Sequence, residues 1–248
     1  MRNKCNFGIT LLFAAFVFSA WICPAVSAQS RQPQAEPEAK TTALALRAPP
    51  WTGDLDGLIK RRYLRALVVY SKTQYYVVKG VQHGVAYDEL IAFQDFINRK
   101  YPTQQKNLRF HVVFVPVPRD QLLPRLAAGR GDIAVATLTV TLERQRLVDF
   151  SDPMATGVKE VVVTGPSSPQ VNTVEDLSGQ EVFVRPSSSY FEHLQELNDK
   201  LKKEGKPLVK LRAAPEDLED EDLLEMLNAG LAHIVVTDSR INTTWTIC

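Results

Sequence analysis

The chain has 248 residues, of which 29 are Lys or Arg and 28 are Asp or Glu, so its formal charge is +1 at pH 7. A charge this close to neutral gives no electrostatic case for binding phosphate backbones, and we expect no nucleic-acid partner. Two of the three cysteines, Cys5 and Cys23, lie in the N-terminal apolar segment and the third is Cys248, so we predict no internal disulfide.

The first 28 residues follow the pattern of a secretory signal peptide, which we place at residues 1–28. Arg2 and Lys4 precede an apolar stretch, and Val26-Ser27-Ala28 matches a signal-peptidase site. We therefore predict cleavage before Gln29 and a periplasmic protein, with attachment to the outer membrane left open. Cleavage removes two basic residues and no acid, so the formal charge falls from +1 to −1.

A membrane anchor and a lipoprotein are the two alternatives for this segment. The apolar stretch from residue 7 to residue 22 is short for a spanning helix, which needs about 20 residues. A lipoprotein would be processed at Cys23, but Trp21 and Ile22 are larger than the residues that such processing prefers. Signal cleavage is therefore the favoured prediction.

Residues 29–52 are polar and proline-rich without apolar periodicity, which predicts a disordered linker. Beyond it, apolar β-branched runs alternate with helical stripes. Predicted strands cover residues 64–71, 110–117, 133–140, 160–164, 181–185, 209–212 and 234–237, and predicted helices cover residues 86–101, 118–126, 173–177, 190–203 and 222–229. The alternation predicts an α/β fold with mostly parallel sheets flanked by helices. We divide it into lobe 1, residues 53–157, and lobe 2, residues 158–248.

A hydroxyl and guanidinium cluster follows the strand predicted to begin at residue 133. Thr139 and Thr141 alternate, so their side chains share one face of an extended segment, and Arg144 follows three residues later. Ligands bind at the carboxyl ends of strands in open α/β sheets, and a planar guanidinium suits a ligand carboxylate. The alternative is that Arg144 pairs with Glu143 or Asp149 on the surface.

Two further groups follow strands of lobe 2. Ser188 and Ser189 stand at a helix start, where hydroxyls and free backbone N–H groups can hold an anion; capping of the helix is the alternative. Asp238 follows the strand over residues 234–237 and could hold an ammonium group, or could be a turn residue beside Ser239. The acidic run over residues 216–222 is expected to solvate a helix start, with metal binding as the less favoured reading.

Other motifs point away from catalysis and cofactors. Arg130-Gly131-Asp132 has the letters of an adhesion tripeptide but lies at a helix-to-strand turn, where a structural role is expected. The four histidines lack metal-ligand spacing, and neither a nucleophile elbow nor a Walker loop is present. We therefore predict no metal site, no cofactor and no catalytic residue in this chain.

The run Thr139-Val-Thr-Leu-Glu-Arg144 and the following Asp149-Phe-Ser-Asp-Pro153 resemble the carboxylate-binding segment of the family 3 periplasmic solute-binding proteins. The helix start Gly84-Val-Ala-Tyr-Asp88 matches that family too, and the resemblance spans roughly residues 54–240. It implies a type II periplasmic-binding-protein fold, in which two hinged α/β lobes close over a small ligand.

The resemblance also implies roles for the candidate residues. Arg144, with Thr139 and Thr141, would hold an α-carboxylate, while Ser188 and Ser189 would close over it. Asp238 would take the amine. Tyr75 and Tyr76 lie where such proteins stack aromatic rings on the ligand, although core or rim packing is an equal alternative.

A narrower resemblance points to one branch of that family. Three segments, Val162-Val-Thr-Gly-Pro166, Val184-Arg-Pro-Ser-Ser-Ser-Tyr190 and Leu218-Glu-Asp-Glu-Asp-Leu-Leu-Glu-Met-Leu-Asn-Ala-Gly230, look like the binding module of membrane-bound lytic murein transglycosylase F-like proteins. In that family a lysozyme-like domain follows and cleaves peptidoglycan with a glutamate. Only ten residues follow Asp238 here, and they do not continue the expected pattern. We expect a truncated second lobe and no catalytic domain.

The favoured function is an exported, non-enzymatic module that binds an amino-acid-like or peptidoglycan-derived ligand and regulates a lytic transglycosylase-like protein. The first alternative is the amino-acid-binding protein of an ABC transporter, with a permease as its partner. The second is a fragment of a lytic transglycosylase that acts on the cell wall, lacking its catalytic half.

Overall fold

The computed structural model describes residues 48–104, 108–166 and 168–240. The predicted signal peptide, most of the predicted linker and the atypical residues 241–248 lie outside this range. Within the described residues, no helix is both long and apolar enough to cross a membrane. Two larger sheets with their helices form the two lobes, and a two-stranded hairpin belongs to lobe 1.

Lobe 1 carries a parallel three-stranded sheet in the order β4-β1-β5. Its elements are α1 Leu55–Arg61, β1 Tyr63–Val68, β2 Tyr76–Val78, β3 Val81–His83, α2 Val85–Lys100, β4 His111–Pro116, α3 Leu122–Ala127, β5 Ile133–Val135 and α4 Leu142–Gln145. The central strand β1 is buried on both faces, which fits a sequence that is apolar except for Arg65. Leu64 and Val68 pack with Leu90 and Ile97 of α2 on one side, and Leu67 packs near α3 on the other.

One charged residue lies inside this sheet. Arg65 of β1 is 1% exposed, and its Nη2 lies 2.8 Å from Oδ1 of Asp132. The backbone N–H of Arg65 also donates to Oδ2 of Asp132 at 2.6 Å, and Arg61 pairs with the same carboxylate. Asp132 of the adhesion-like tripeptide therefore joins α1, β1 and the approach to β5. The structural role expected for the tripeptide is confirmed.

The sequence interpretation missed the β2–β3 hairpin that leads into α2. These strands pair antiparallel, and Gly84 follows directly with φ +118°, a conformation open to glycine. A Cβ on Gly84 would lie 2.2 Å from the carbonyl oxygen of Gln74, so the chain passes too closely here for any other residue. The turn allows the stripe beginning at Ala86 to start a helix, as predicted.

The strand predicted over residues 133–140 is wrong in its second half. Strand β5 ends at Val135, and Thr137 has φ +47°, which turns the chain out of the sheet. Thr141 then takes an extended conformation and caps α4, which contains Arg144. The helix predicted from residue 118 begins as a 3-10 turn over Arg119–Gln121 before α3.

Lobe 2 carries a four-stranded sheet in the order β6-β9-β7-β8. Its elements are β6 Glu160–Thr164, a 3-10 helix Val174–Leu177, β7 Glu181–Val184, α5 Ser189–Lys203, β8 Lys210–Ala213, α6 Asp220–Asn228 and β9 Ile234–Asp238. Strand β9 is parallel to β7 but antiparallel to β6, so the mostly parallel arrangement holds with one exception. Leu194 and Leu201 of α5 cover one face of the sheet, while Leu223 and Leu227 of α6 cover the other.

Candidate functional site

A cavity of about 190 Å³ is lined by residues of both lobes. Its walls come from the segments that follow β1, β4, β5, β7, β8 and β9, so it lies where open α/β sheets bind ligands. An engineered cavity of about 150 Å³ holds benzene. The volume therefore suits a molecule of amino-acid size.

Arg144 lies at this cavity and is 7% exposed. Its position is set by Thr141, whose Oγ1 accepts from the backbone N–H of Arg144 at 3.3 Å and so caps α4. The guanidinium reaches both lobes: Nη1 donates to the carbonyl oxygen of Thr139 at 3.3 Å, and Nη2 donates to that of Ser187 at 3.0 Å. The surface pairing with Glu143 or Asp149 is not what the structure shows.

A carboxylate of lobe 2 contacts the same guanidinium. Oε1 of Glu192, on α5, lies 3.2 Å from Nη2 and 3.3 Å from Nε of Arg144. The side chain of Glu192 is 27% exposed, so its carboxylate already borders solvent and has room to move away from Arg144. Arg144 is thus placed to bind a carboxylate, and a protein carboxylate lies beside it.

The start of α5 brings Ser188 and Ser189 to the cavity, with different tasks. Ser188 caps the helix, because its Oγ accepts from the N–H of Phe191 at 3.2 Å. Ser189 reaches across the lobes, where its Oγ lies 3.2 Å from Oγ1 of Thr139. It also donates to Oε1 of Glu160 at 2.9 Å. Capping and cavity lining therefore coexist here.

Asp238, at the end of β9, lines the same cavity. Its Oδ1 accepts from the backbone N–H of Arg240 at 2.8 Å, and its Oδ2 lies 2.8 Å from Nη2 of Arg240. The Asp238 carboxylate is therefore fixed in a turn and also faces the cavity, so its two sequence interpretations are compatible.

Three candidate residues do not line the cavity. Thr141 serves as the α4 cap. Tyr75 is buried, stacks on Phe114 with ring centroids 5.2 Å apart, and donates from its hydroxyl to Gln82 at 2.8 Å. Tyr76 lies on β2 and stacks on His83. Both tyrosines match the packing alternative.

The sequence interpretation missed an ion pair between the lobes. Nε of Arg119 lies 3.0 Å from both carboxylate oxygens of Glu219, and Nη1 donates to the carbonyl oxygen of Ala136. Burial alone would lower the pKa of Arg119, but the hydrogen bonds and charge of Glu219 hold it above the ordinary value. One signal was available: Arg119 comes just after β4, at a strand's carboxyl end.

The acidic run over residues 216–222 does supply a helix start, that of α6, but the expectation that it is solvated was wrong at the centre of the run. Glu219, Asp220 and Glu221 are buried, because the start of α6 packs into the interface between the lobes. Asp220 pairs with Arg185 of β7 and accepts from the hydroxyl of Tyr190 at 2.8 Å. Burial, with the charge of Asp220, raises the pKa of Tyr190. Among the described residues, no acidic, histidine or cysteine cluster could hold a metal ion.

The comparisons with known proteins agree with this geometry. Residues 102–245 match the model of the bacterial extracellular solute-binding proteins, family 3. That match covers more than half of the chain, which therefore belongs to this family. The fold is the type II periplasmic-binding-protein fold, and the matched unit is a solute-binding domain.

Two relatives by sequence and one solved structure show which proteins of known function the chain resembles. The chain is 28% identical over 183 residues to a membrane-bound lytic murein transglycosylase F of Idiomarina loihiensis, covering 73% of this chain and 36% of the relative. It is 34% identical over 79 residues to the histidine-binding periplasmic protein of Escherichia coli, covering 32% and 30%. An ancestral arginine-binding protein bound to arginine superposes with a TM-score of 0.57 at 26% identity, covering 74% and 73%. The chain thus spans about a third of the transglycosylase relative.

Proposed function

We propose that this chain binds a small amino-acid-like or peptidoglycan-derived ligand between its two lobes. Arg144 carries the proposal, since it is a buried guanidinium that touches both lobes at an amino-acid-sized cavity. In this proposal its planar fork holds the ligand carboxylate, as guanidinium groups do bidentately. Thr139 and Ser189 close over the ligand, and Asp238 takes the amine.

Binding in this arrangement favours the state in which the lobes touch. Arg144 contacts the carbonyl oxygen of Ser187 in lobe 2, and Ser189 contacts Thr139 in lobe 1. A ligand held by Arg144 and Ser189 makes contacts in this state that separated lobes cannot offer, and such differential contacts shift the population. The expected readout is a ligand-dependent decrease in the radius of gyration.

The proposal also covers the organisation of the chain, its location and its role. We place a signal peptide at residues 1–28, a linker at 29–52, lobe 1 at 53–157 and lobe 2 at 158–248, with the protein working in the periplasm. Because curated relatives include lytic murein transglycosylases, we propose that the module senses wall fragments and regulates such an activity. The similarity to a histidine-binding periplasmic protein supports the second candidate, a binding protein that serves an ABC permease.

The test is isothermal titration calorimetry of the folded chain against free amino acids and purified muropeptides. We expect at least one ligand to bind, and Arg144→Ala to weaken its binding by about thirtyfold or more, since removing one partner of a desolvated charge pair costs at least about 2 kcal/mol. Arg146→Ala is the matched control, because Arg146 is exposed two residues further on. Absence of heat from every ligand, on chain that melts cooperatively, would contradict the proposal.

A second assay separates the functional candidates. Release of muropeptides from purified peptidoglycan should not occur with this chain, because we propose only the binding module here. Product formation would favour the enzyme reading. Amino-acid binding without muropeptide binding would favour the permease-linked reading over the wall-sensing one.

A further inference from the structure

The cavity wall has a surplus of negative charge. Among the described residues, three arginines and seven carboxylates line it, so the formal charge of the lining is −4. The three arginines each pair with one carboxylate, as described above for Arg119, Arg144 and Arg185. Asp238 is held by Arg240. Asp120, Glu143 and Glu221 remain, and of these only Glu221 is buried.

Glu221 is 2% exposed and lies in the first turn of α6. Its Oε1 accepts a hydrogen bond from Oγ1 of Thr73 at 3.2 Å, across the boundary between the lobes. A carboxylate can accept several hydrogen bonds, and a neutral hydroxyl does not balance its charge. A buried carboxylate without a cation is costly, so this position favours a positive partner.

Lys72, next to Thr73 in sequence, pairs with other carboxylates of α6. Nζ of Lys72 lies 3.1 Å from Asp222 and 2.7 Å from Glu225, two residues that share one face of the helix because they are three positions apart. These side chains are partly or largely exposed, whereas Glu221 faces the cavity. The α6 N-terminus helps to support the Glu221 charge but does not neutralise it.

Arg144 and Glu221 belong to separate parts of the cavity wall. Arg144 contacts Thr139 and Ser187, whereas Glu221 contacts Thr73 in the connection between β1 and β2. A simple zwitterion needs one anion site and one cation site, which Arg144 and Asp238 supply in the proposed function. Glu221 is a further buried carboxylate of the cavity wall, beyond the two groups that a simple zwitterion needs.

We propose that Glu221 selects ligands with a cationic side chain, an ammonium or a guanidinium group, and that Thr73 shares this contact. The inference rests on the proposed function, because it assumes that the ligand's carboxylate lies at Arg144. It narrows the ligand class from amino-acid-like molecules to those with net positive charge.

The test compares L-arginine with L-citrulline, which has nearly the same shape but a neutral urea group in place of the guanidinium. Calorimetry on the folded chain should show arginine binding about tenfold or more tighter, the scale of one charged hydrogen bond. In Glu221→Gln the ratio should fall to within about threefold through weaker arginine binding. Glu225→Gln, the same change outside the cavity wall on the same helix, should leave the ratio intact.

The outcomes are distinguishable. Equal binding of arginine and citrulline by the unaltered chain overturns the inference and leaves the proposed function standing, and this comparison needs no variant. An unchanged ratio in Glu221→Gln, with a normal melting curve, overturns the assignment to Glu221. If no amino acid or muropeptide binds, the proposed function fails and this inference fails with it.

Discussion

The carboxylate of Glu192 lies 3.2 Å from Nη2 of Arg144, beside the group to which we assign the ligand carboxylate. The two residues belong to different lobes and are 48 positions apart in sequence. A ligand carboxylate that binds Arg144 bidentately must displace Glu192, so Glu192 competes with the ligand for the guanidinium.

Glu192→Gln should therefore strengthen ligand binding. Glutamine keeps the size of the side chain but removes the charge that competes for Arg144, and partly exposed ion pairs contribute up to about 1 kcal/mol, so we expect a gain of about twofold to fivefold. Calorimetric Kd values measure it. Glu196→Gln, one turn along α5 and exposed, is the control. Weaker binding in Glu192→Gln would show instead that Glu192 contacts the ligand.

The ion pair between Arg119 and Glu219 should hold the lobes together. Replacing Arg119 by Gln leaves the buried Glu219 carboxylate without its cation, and breaking a buried pair costs about 3 kcal/mol or more. Separation of the lobes returns Glu219 to water, so we expect a larger radius of gyration by small-angle X-ray scattering and weaker ligand binding. Arg125→Gln, exposed on α3, should change neither quantity. An unchanged scattering profile in Arg119→Gln would count against this role.

Asp132→Ala should destabilise lobe 1 strongly. Asp132 accepts from the backbone and side chain of Arg65 and pairs with Arg61, so its removal leaves Arg65 buried without a counter-charge, at a cost of about 3–5 kcal/mol. Urea unfolding followed by circular dichroism measures the loss. The control Asp149→Ala changes an exposed aspartate. A loss of less than about 1 kcal/mol would mean that Asp132 is not the partner that keeps Arg65 in the sheet.

Asp176 predicts a pH-dependent contribution to stability. Its carboxylate accepts from the backbone N–H groups of Asn172 and Thr173, each at 2.9 Å, and these bonds lower its pKa. Because the pKa is lower in the folded state, the stabilisation is present above the unfolded-state pKa and is lost as pH falls through the folded-state pKa. Asp176→Ala should lower the melting temperature at pH 7 and lower it less near pH 3. Equal losses at both pH values would exclude the charged cap as the cause.

Local patterns in the sequence were enough to find the framework. The apolar run of β1 and the stripe beginning at Ala86 depend on neighbours a few residues away, so they could be read directly. Four cavity residues could be found because each lies at or after the carboxyl end of a strand, and these ends face the cavity: Thr139, Arg144, Ser189 and Asp238.

What escaped prediction depends on contacts between distant segments. Arg119 and Glu219 are 100 positions apart, so nothing in the acidic run itself shows that it is buried against lobe 1. Thr141 lies two residues after Thr139, as the alternating pattern requires. The chain turns at Thr137, however, and the Thr141 side chain caps α4, so it does not line the cavity. Tyr75 has the right position along the chain, and only the packing of Phe114 shows that it lies in the core.

The place of β9 within its sheet sets the order in which strands become available for pairing as the chain emerges, N-terminus first. Strands β1, β4 and β5 all lie before residue 136, so the sheet of lobe 1 can assemble once that part of the chain has emerged. Within the described part of lobe 2, β9 is the last strand in sequence and lies between β6 and β7, so those two earlier strands do not pair with each other. The centre of this sheet therefore stays open until β9 has emerged, whereas the face of lobe 1 that bears Arg119 can form before its partner Glu219 is available.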